Sequence, residues 1–281
     1  MKKILFMAMV FTFSLNVTAQ VTTPQPSPFG KLEQKVGLTD VSIEYSRPSM
    51  RGRTIFGDLV SYGKLWRTGA NKNTIITFSD DVVIEGHTLK AGAYSIFTTP
   101  NETSWDVVFY TDIENWGTPQ KWDNSKVAVK TTVKSYPIPF DVETLTMDVN
   151  SISNNGAKLE IFWEKTYVAI PFEVPTDKIV SKSIEKAMKG TSAEDYYAAA
   201  VYYLEEGKDI KKAQEWMEKA MSMIENPAFY QLRKLALIYA EAGNKKAAIE
   251  AAKKSLEGSE KVGNADYIKM NKASLKEWGA L

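Results

Sequence analysis

The hydrophobic period of this 281-residue chain changes once, near Pro175, and that change limits the folds open to it. Up to Pro175, apolar side chains recur at every second position in short segments rich in Val, Ile, Thr, Tyr and Phe, the mark of half-buried strands. Beyond it the period lengthens to that of a helix, and Ala, Glu, Lys and Tyr replace Val and Thr. An all-β domain followed by an all-α domain satisfies both halves.

Nine segments carry the strand pattern: 41–46, 74–79, 81–86, 93–98, 105–110, 126–134, 145–150, 157–163 and 167–174. The sharpest hairpin signal is Asn154-Asn155-Gly156, with Leu145, Met147 and Val149 alternating before it and Leu159, Ile161 and Trp163 after it. Those six side chains are expected to face the core. Regular strand spacing without parallel crossovers predicts a β-sandwich, jelly-roll-like, over residues 29–174.

Residues 175–281 read as helical, with a helix at 178–189, a capping box of Thr191 and Glu194 opening the next, and a last helix at 265–278. Between them the chain repeats itself. "AVYYLEEGKDIKKAQEWMEKAM" returns as "ALIYAEAGNKKAAIEAAKKSL", pairing Ala200 with Ala236, Tyr203 with Tyr239, Gly207 with Gly243, Ala213 with Ala248 and Ala220 with Ser255. Pro227 stands where one copy hands over to the next. The spacing is close to the tetratricopeptide period of roughly 34 residues, which makes a tetratricopeptide-like domain the leading expectation and an ordinary helical bundle the alternative.

The first residues have the form of a secretory signal peptide over 1–19: Lys2 and Lys3, an apolar run from Ile4 to Leu15, and the small-residue site Val17-Thr18-Ala19. Residues 20–28 are rich in Pro, Thr, Ser and Gln and read as a disordered leader. An exported protein, periplasmic or extracellular, is expected, with no membrane span. There is no Cys, so no disulfide staples the fold. Setting Lys2 and Lys3 aside leaves 33 basic against 34 acidic residues, a balance that argues against nucleic acid or an anionic membrane surface as partner.

Arginine is distributed unlike the rest of the charge. Of five Arg, four fall at 47, 51, 53 and 67, while thirty Lys are spread along the chain. Arg differs from Lys as a rigid fork for carboxylates and phosphates. Gly52, Gly57, Gly63 and Gly69 punctuate the same stretch, which reads as a long connection of the kind that carries binding groups on a rigid scaffold. Arg51, Arg53, Trp66, Arg67 and Asn71, joined by Trp116 and Trp122 from "ENWGTPQKWDN", form the candidate ligand-binding set for a small polar, anionic or glycan-like molecule. The competing reading has these arginines pairing with Asp and Glu to pin the loop, and the Trp side chains plugging the core.

Other chemistries find less support. His87 is the only histidine and sits in a turn between two strand segments; with no Cys, neither a metal centre nor a cofactor is expected. No Gly-rich stretch has phosphate-loop spacing. Carboxylates such as Glu85, Asp106, Asp112 and Glu114 leave a glycan hydrolase acting at the same loop face as the alternative to a non-catalytic binding protein. In the binding reading the helical tail is expected to dock a protein partner, with a merely structural tail as the alternative.

"SRPSMRGRTIFG", "KLWRTGANKNT", "LKAGAYSIFTTP" and "LEIFWEKTYVAIPFEV" together resemble the bacterial family called domain of unknown function 2911, and the tail from "EDYYAAAVYYLEEGKD" to "DYIKMNKASLKEW" is similar to a helical extension found in its members. The resemblance implies an exported β-domain protein with a helical tail. It implies no activity.

Overall fold

The computed structural model describes residues 23–188 and 192–281; the segment read as a signal peptide lies outside the described residues, as does Thr191. The chain divides between Pro175 and Thr176 into two compact units.

The first unit holds nine strands: β1 (Phe29–Val36), β2 (Thr39–Ser46), β3 (Ala70–Phe78), β4 (Val82–Ile84), β5 (His87–Leu89), β6 (Gly92–Pro100), β7 (Ser104–Tyr110), β8 (Val127–Asn150) and β9 (Gly156–Glu173). Their order is β1-β2-β3-β6-β7-β8-β9-β4-β5, with antiparallel neighbours throughout. β8 pairs with β7 through residues 127–134 and then with β9 through 135–150, so one long strand passes from the larger sheet into the smaller. The inner faces of both sheets meet in a single core that includes Ile43, Ile76, Ile96, Trp105, Leu145, Ile161 and Trp163. All six side chains expected to face inward around the 154–156 turn are buried. Gly156 is required there by space: a Cβ would stand 2.6 Å from the carbonyl oxygen of Phe172.

The strand count matches the expectation while the strands do not correspond one to one. Segments 126–134 and 145–150 are one strand, as are 157–163 and 167–174. In β8 the register shifts between Pro137 and Val142, where proline withdraws ladder donors. In β9 the break is Glu164, whose backbone is left-handed (φ 54°). Inward positions are odd-numbered up to Trp163 and even-numbered from Val168, the signature of a bulge. β1 escaped the pattern because it is an edge strand carrying Lys31, Glu33, Gln34 and Lys35, the charged composition that keeps an edge from pairing with other chains.

The second unit contains α1 (Thr176–Ala187), α2 (Ala193–Glu205), α3 (Ile210–Met223), α4 (Phe229–Glu241), α5 (Lys245–Lys261) and α6 (Ala265–Glu277). The capping box of α2 is formed by Ser192 and Asp195, one residue later than expected. Ser192 Oγ accepts from the Asp195 N–H at 3.1 Å, a register that leaves the orphan amides of the first turn satisfied. The repeat seen in the sequence is a repeat of structure. Ala200 and Ala236, Ala213 and Ala248, and Ala220 and Ser255 are all fully buried, and Gly207 and Gly243 close their helices with left-handed backbone (φ 60° and 80°). Ser255 differs from its counterpart in anchoring a polar chain: Asn271 Nδ2 donates to Ser255 Oγ at 2.9 Å, and Ser255 Oγ donates to Phe229 O at 2.7 Å. Among the described residues no helix is long and apolar enough to cross a membrane.

Candidate ligand-binding cleft

The segment between β2 and β3 has little regular structure, as expected, and it is held in strained backbone. Of six non-glycine residues with left-handed φ among those described, Arg51 and Thr68 lie in it and Asn71 follows at the start of β3. Asn accepts this conformation readily, but a fully buried β-branched Thr68 at φ 56° does so only when its surroundings over-determine it. They do: its hydroxyl meets that of Thr98 at 3.0 Å, and its carbonyl accepts from Thr74 Oγ1 at 2.7 Å. Thr68 thereby fixes the direction of its neighbour, Arg67.

Arg67 opens into a cleft of about 360 Å³ lined by Arg51, Arg53, Trp66, Trp163, Leu59 and Val60, with Pro26, Ser27, Pro48, Ser49, Gly69 and Ala70 completing the wall. Among the described residues no acidic side chain lines it. Every ion pair among the described residues has lysine as its cation, so the arginines are not clamped to carboxylates. Three of them pin the loop through neutral oxygens. Arg47 Nε donates to Leu145 O at 3.0 Å, Arg53 donates to Met50 O and Ser49 O at 2.8 and 2.7 Å, and Arg51 Nη2 donates to Pro26 O at 2.8 Å. A carbonyl fixes a guanidinium in place without cancelling its charge, so Arg51 and Arg53 keep their full positive field at the cleft. Glu143 meets the segment through main-chain donors: its carboxylate accepts the Arg51 N–H at 2.9 Å and its carbonyl accepts the Met50 N–H at 2.7 Å.

Arg67 is the exception. Its Nε is buried and has no hydrogen-bond partner among the described residues. Burial, with no opposing carboxylate, pulls the pKa of this half-buried guanidinium below its ordinary value. An unmet buried donor costs on the order of 1–3 kcal/mol, a burden that an anion reaching the fork would relieve.

The expected set separates. Arg51, Arg53, Trp66 and Arg67 come together in the cleft. Trp66 forms its inner wall and is no free stacking platform, because its ring lies against Trp163 (centroids 5.8 Å apart, planes at 20°) and its Nε1 donates to Gly69 O at 3.2 Å. Asn71 acts at one remove. Its Nδ2 donates to Ser27 O and to Ser46 Oγ, both at 3.2 Å, and so holds one wall. Residues 23–28, expected to be disordered, have no regular structure, yet Pro26 and Ser27 belong to the site. Trp116 and Trp122 lie elsewhere: Trp116 is exposed, and Trp122 stacks on Tyr110 at 4.6 Å to anchor the 111–126 loop on the larger sheet. Trp163 was missed as a site residue because its strict alternation marks it as core, and it serves both purposes.

The carboxylates weighed for hydrolysis sit apart from this cleft. Asp106 pairs with Lys130, Asp112 with Lys126 and Glu114 with Lys72. Asp106 and Asp112 are held below the usual carboxylate range by hydrogen bonds, first from those lysines, the opposite of what a general acid needs. His87 is exposed at the start of β5.

Fold and site together define a two-unit protein: a β-sandwich with a cationic cleft at its long loop, followed by a helical repeat unit. The model of the family described as protein of unknown function (DUF2911) matches residues 27–172, more than half of the chain, and the protein belongs to that family. Comparison with curated proteins and with solved structures gave no significant match.

Proposed function

We propose that this is an exported, non-catalytic binding protein, periplasmic or extracellular, whose β unit captures a small anionic ligand in the cleft around Arg67. One observation carries the reading: among the described residues, a half-buried guanidinium with an unmet donor and no counter-charge faces a space whose only other charged residues are Arg51 and Arg53. A protein retains an uncompensated charge of this kind at a destabilising cost, and a ligand carboxylate, phosphate or sulfate is the partner that removes it. The helical unit, read as tetratricopeptide-like, presents packed helix pairs that suit the docking of a protein partner. The apolar run before Ala19 supports export.

The test is thermal shift against phosphate, sulfate, sugar phosphates, dicarboxylates and uronic acids, run on wild type and Arg67→Lys. A ligand at 100 times its Kd raises stability by about 2.7 kcal/mol. Arg67→Lys keeps the charge but loses the fork, so the same ligand should bind about 10-fold or more weakly. Equal shifts in both proteins, or no shift with any anion, would reject the reading.

A further inference from the structure

A second surface of the β unit carries features that the arginine cleft does not explain. Where β8 leaves the larger sheet, its outward side chains run Lys130, Thr132, Lys134 and Tyr136, all exposed, while Val129, Thr131 and Val133 face inward. Tyr136 stands opposite Tyr167 of β9, their rings 6.2 Å apart, and Tyr167 in turn stacks on Phe162 at 4.9 Å with planes at 29°. The Glu164 bulge makes this possible, since it brings the outward positions 162 and 167 side by side. With Ala169 and Pro171 the rings of Tyr136 and Tyr167 floor an open depression of about 490 Å³, rimmed by Lys134, Lys158, Thr132 and Glu85.

The floor is fixed in advance. Tyr167 OH donates to Glu160 Oε1 at 2.7 Å, and Glu160 Oε2 accepts from Asn150 Nδ2 at 2.9 Å. Glu160 is buried, so this chain holds the Tyr167 ring in one orientation, and burial, reinforced by the bond to Glu160, pushes its hydroxyl pKa up to about 12. The phenol therefore stays protonated and acts as an orienting group. A cross-strand aromatic pair can serve the sheet alone. Here, however, Tyr136 is half exposed, and solvated aromatic area collected beside small apolar residues and ringed by donors and acceptors is the composition of a small-molecule site.

We infer that the Tyr136–Tyr167 depression binds a pyranose ring of a polysaccharide. A pyranose presents C–H groups on its faces and hydroxyls around its edge. An aromatic floor with a rim of Lys, Thr and Glu meets both parts, whereas the open shape, without a deep pocket, gives an extended peptide side chain nowhere to insert. The site is independent of the arginine cleft and does not rest on it.

Affinity electrophoresis of the full chain in gels containing laminarin, xylan, mannan, dextran or polygalacturonate tests the inference. At least one neutral polysaccharide should retard the protein, Tyr136→Ala should weaken that retardation about 10-fold or more, and Arg67→Lys should leave it unchanged. Tyr167→Phe keeps the ring and loses the bond to Glu160; it should retain part of the binding, which separates stacking from orientation. A melting curve for each variant guards against misfolding. The proposal is overturned by no retardation in any neutral gel; by equal retardation of wild type and Tyr136→Ala; by loss in Arg67→Lys alone, which places the sugar in the other cleft; or by retardation with polygalacturonate only, which is charge attraction to Lys134 and Lys158. A dimer that Tyr136→Ala dissolves would assign the face to a second copy of the chain and overturn it equally.

Discussion

Tyr45 and Met147, 102 positions apart, are joined by a two-way hydrogen bond: the tyrosine hydroxyl accepts from the Met147 N–H at 2.9 Å and donates to the Met147 carbonyl at 3.4 Å. The bond links β2 of the larger sheet to β8 where it runs in the smaller one, so a phenol ties the two sheets together. Both groups are buried, and Arg47, over the Tyr45 ring at 5.7 Å, adds its own bond to Leu145 O. Tyr45→Phe keeps the ring and strands a main-chain donor. The expected loss is about 1–3 kcal/mol, read by urea unfolding. A variant as stable as wild type would mean that water or a shifted strand meets the Met147 N–H.

The two units are proposed to fold separately, because their cores share no periodicity and the chain divides cleanly at Pro175. A fragment of residues 23–174 should melt cooperatively. One that begins at residue 29 should melt within a few degrees of it but lose anion binding, since Pro26 and Ser27 wall the cleft. An aggregated 23–174 fragment would show that the helices complete the β core.

Acid should act partly through Asp106. Hydrogen bonds from Lys130 and then Thr132 hold its folded pKa below the unfolded value of about 3.9. A depressed carboxyl contributes stability above its unfolded pKa and loses it as pH falls through the folded one, so the contribution fades below about pH 4. With its side chain 32% exposed, the group is partly screened by solvent, which keeps the contribution to about 0.5 kcal/mol. Asp106→Asn should therefore be slightly less stable than wild type at pH 7 and converge with it as pH falls through the folded pKa of Asp106. Parallel stability curves across that range would remove Asp106 from the account.

Fold class was legible because alternation and helical period are strong local signals, and the inward set around Gly156 follows directly from them. What local pattern hid was continuity. Pro137 and Glu164 break the alternation within β8 and β9, so two long strands read as four, while the charges on β1 masked an edge strand. The cleft was legible in half. Clustered Arg51, Arg53 and Arg67 announced it, but Trp163 reaches it from a strand about a hundred residues away, and Pro26 and Ser27 reach it from a leader whose composition suggests disorder. Trp116 and Trp122 show the reverse: aromatic residues in a loop signal a surface without saying which one.

Arg67 offers the sharpest test, because its two roles predict opposite signs. If the empty cleft holds an uncompensated guanidinium, then Arg67→Met, which keeps the length and apolar stem while deleting charge and donors, should stabilise the ligand-free protein. The gain should be about 1 kcal/mol at most, since part of the side chain remains in water, which screens the charge. The same variant should lose the thermal shift that anions give wild type. If Arg67 instead clamps the loop, its removal should lower the melting temperature by several degrees, as losing a buried charged hydrogen bond of about 1.5–3 kcal/mol would do. A more stable variant blind to anions supports the cleft; a less stable one returns Arg67 to loop architecture, alongside Arg47.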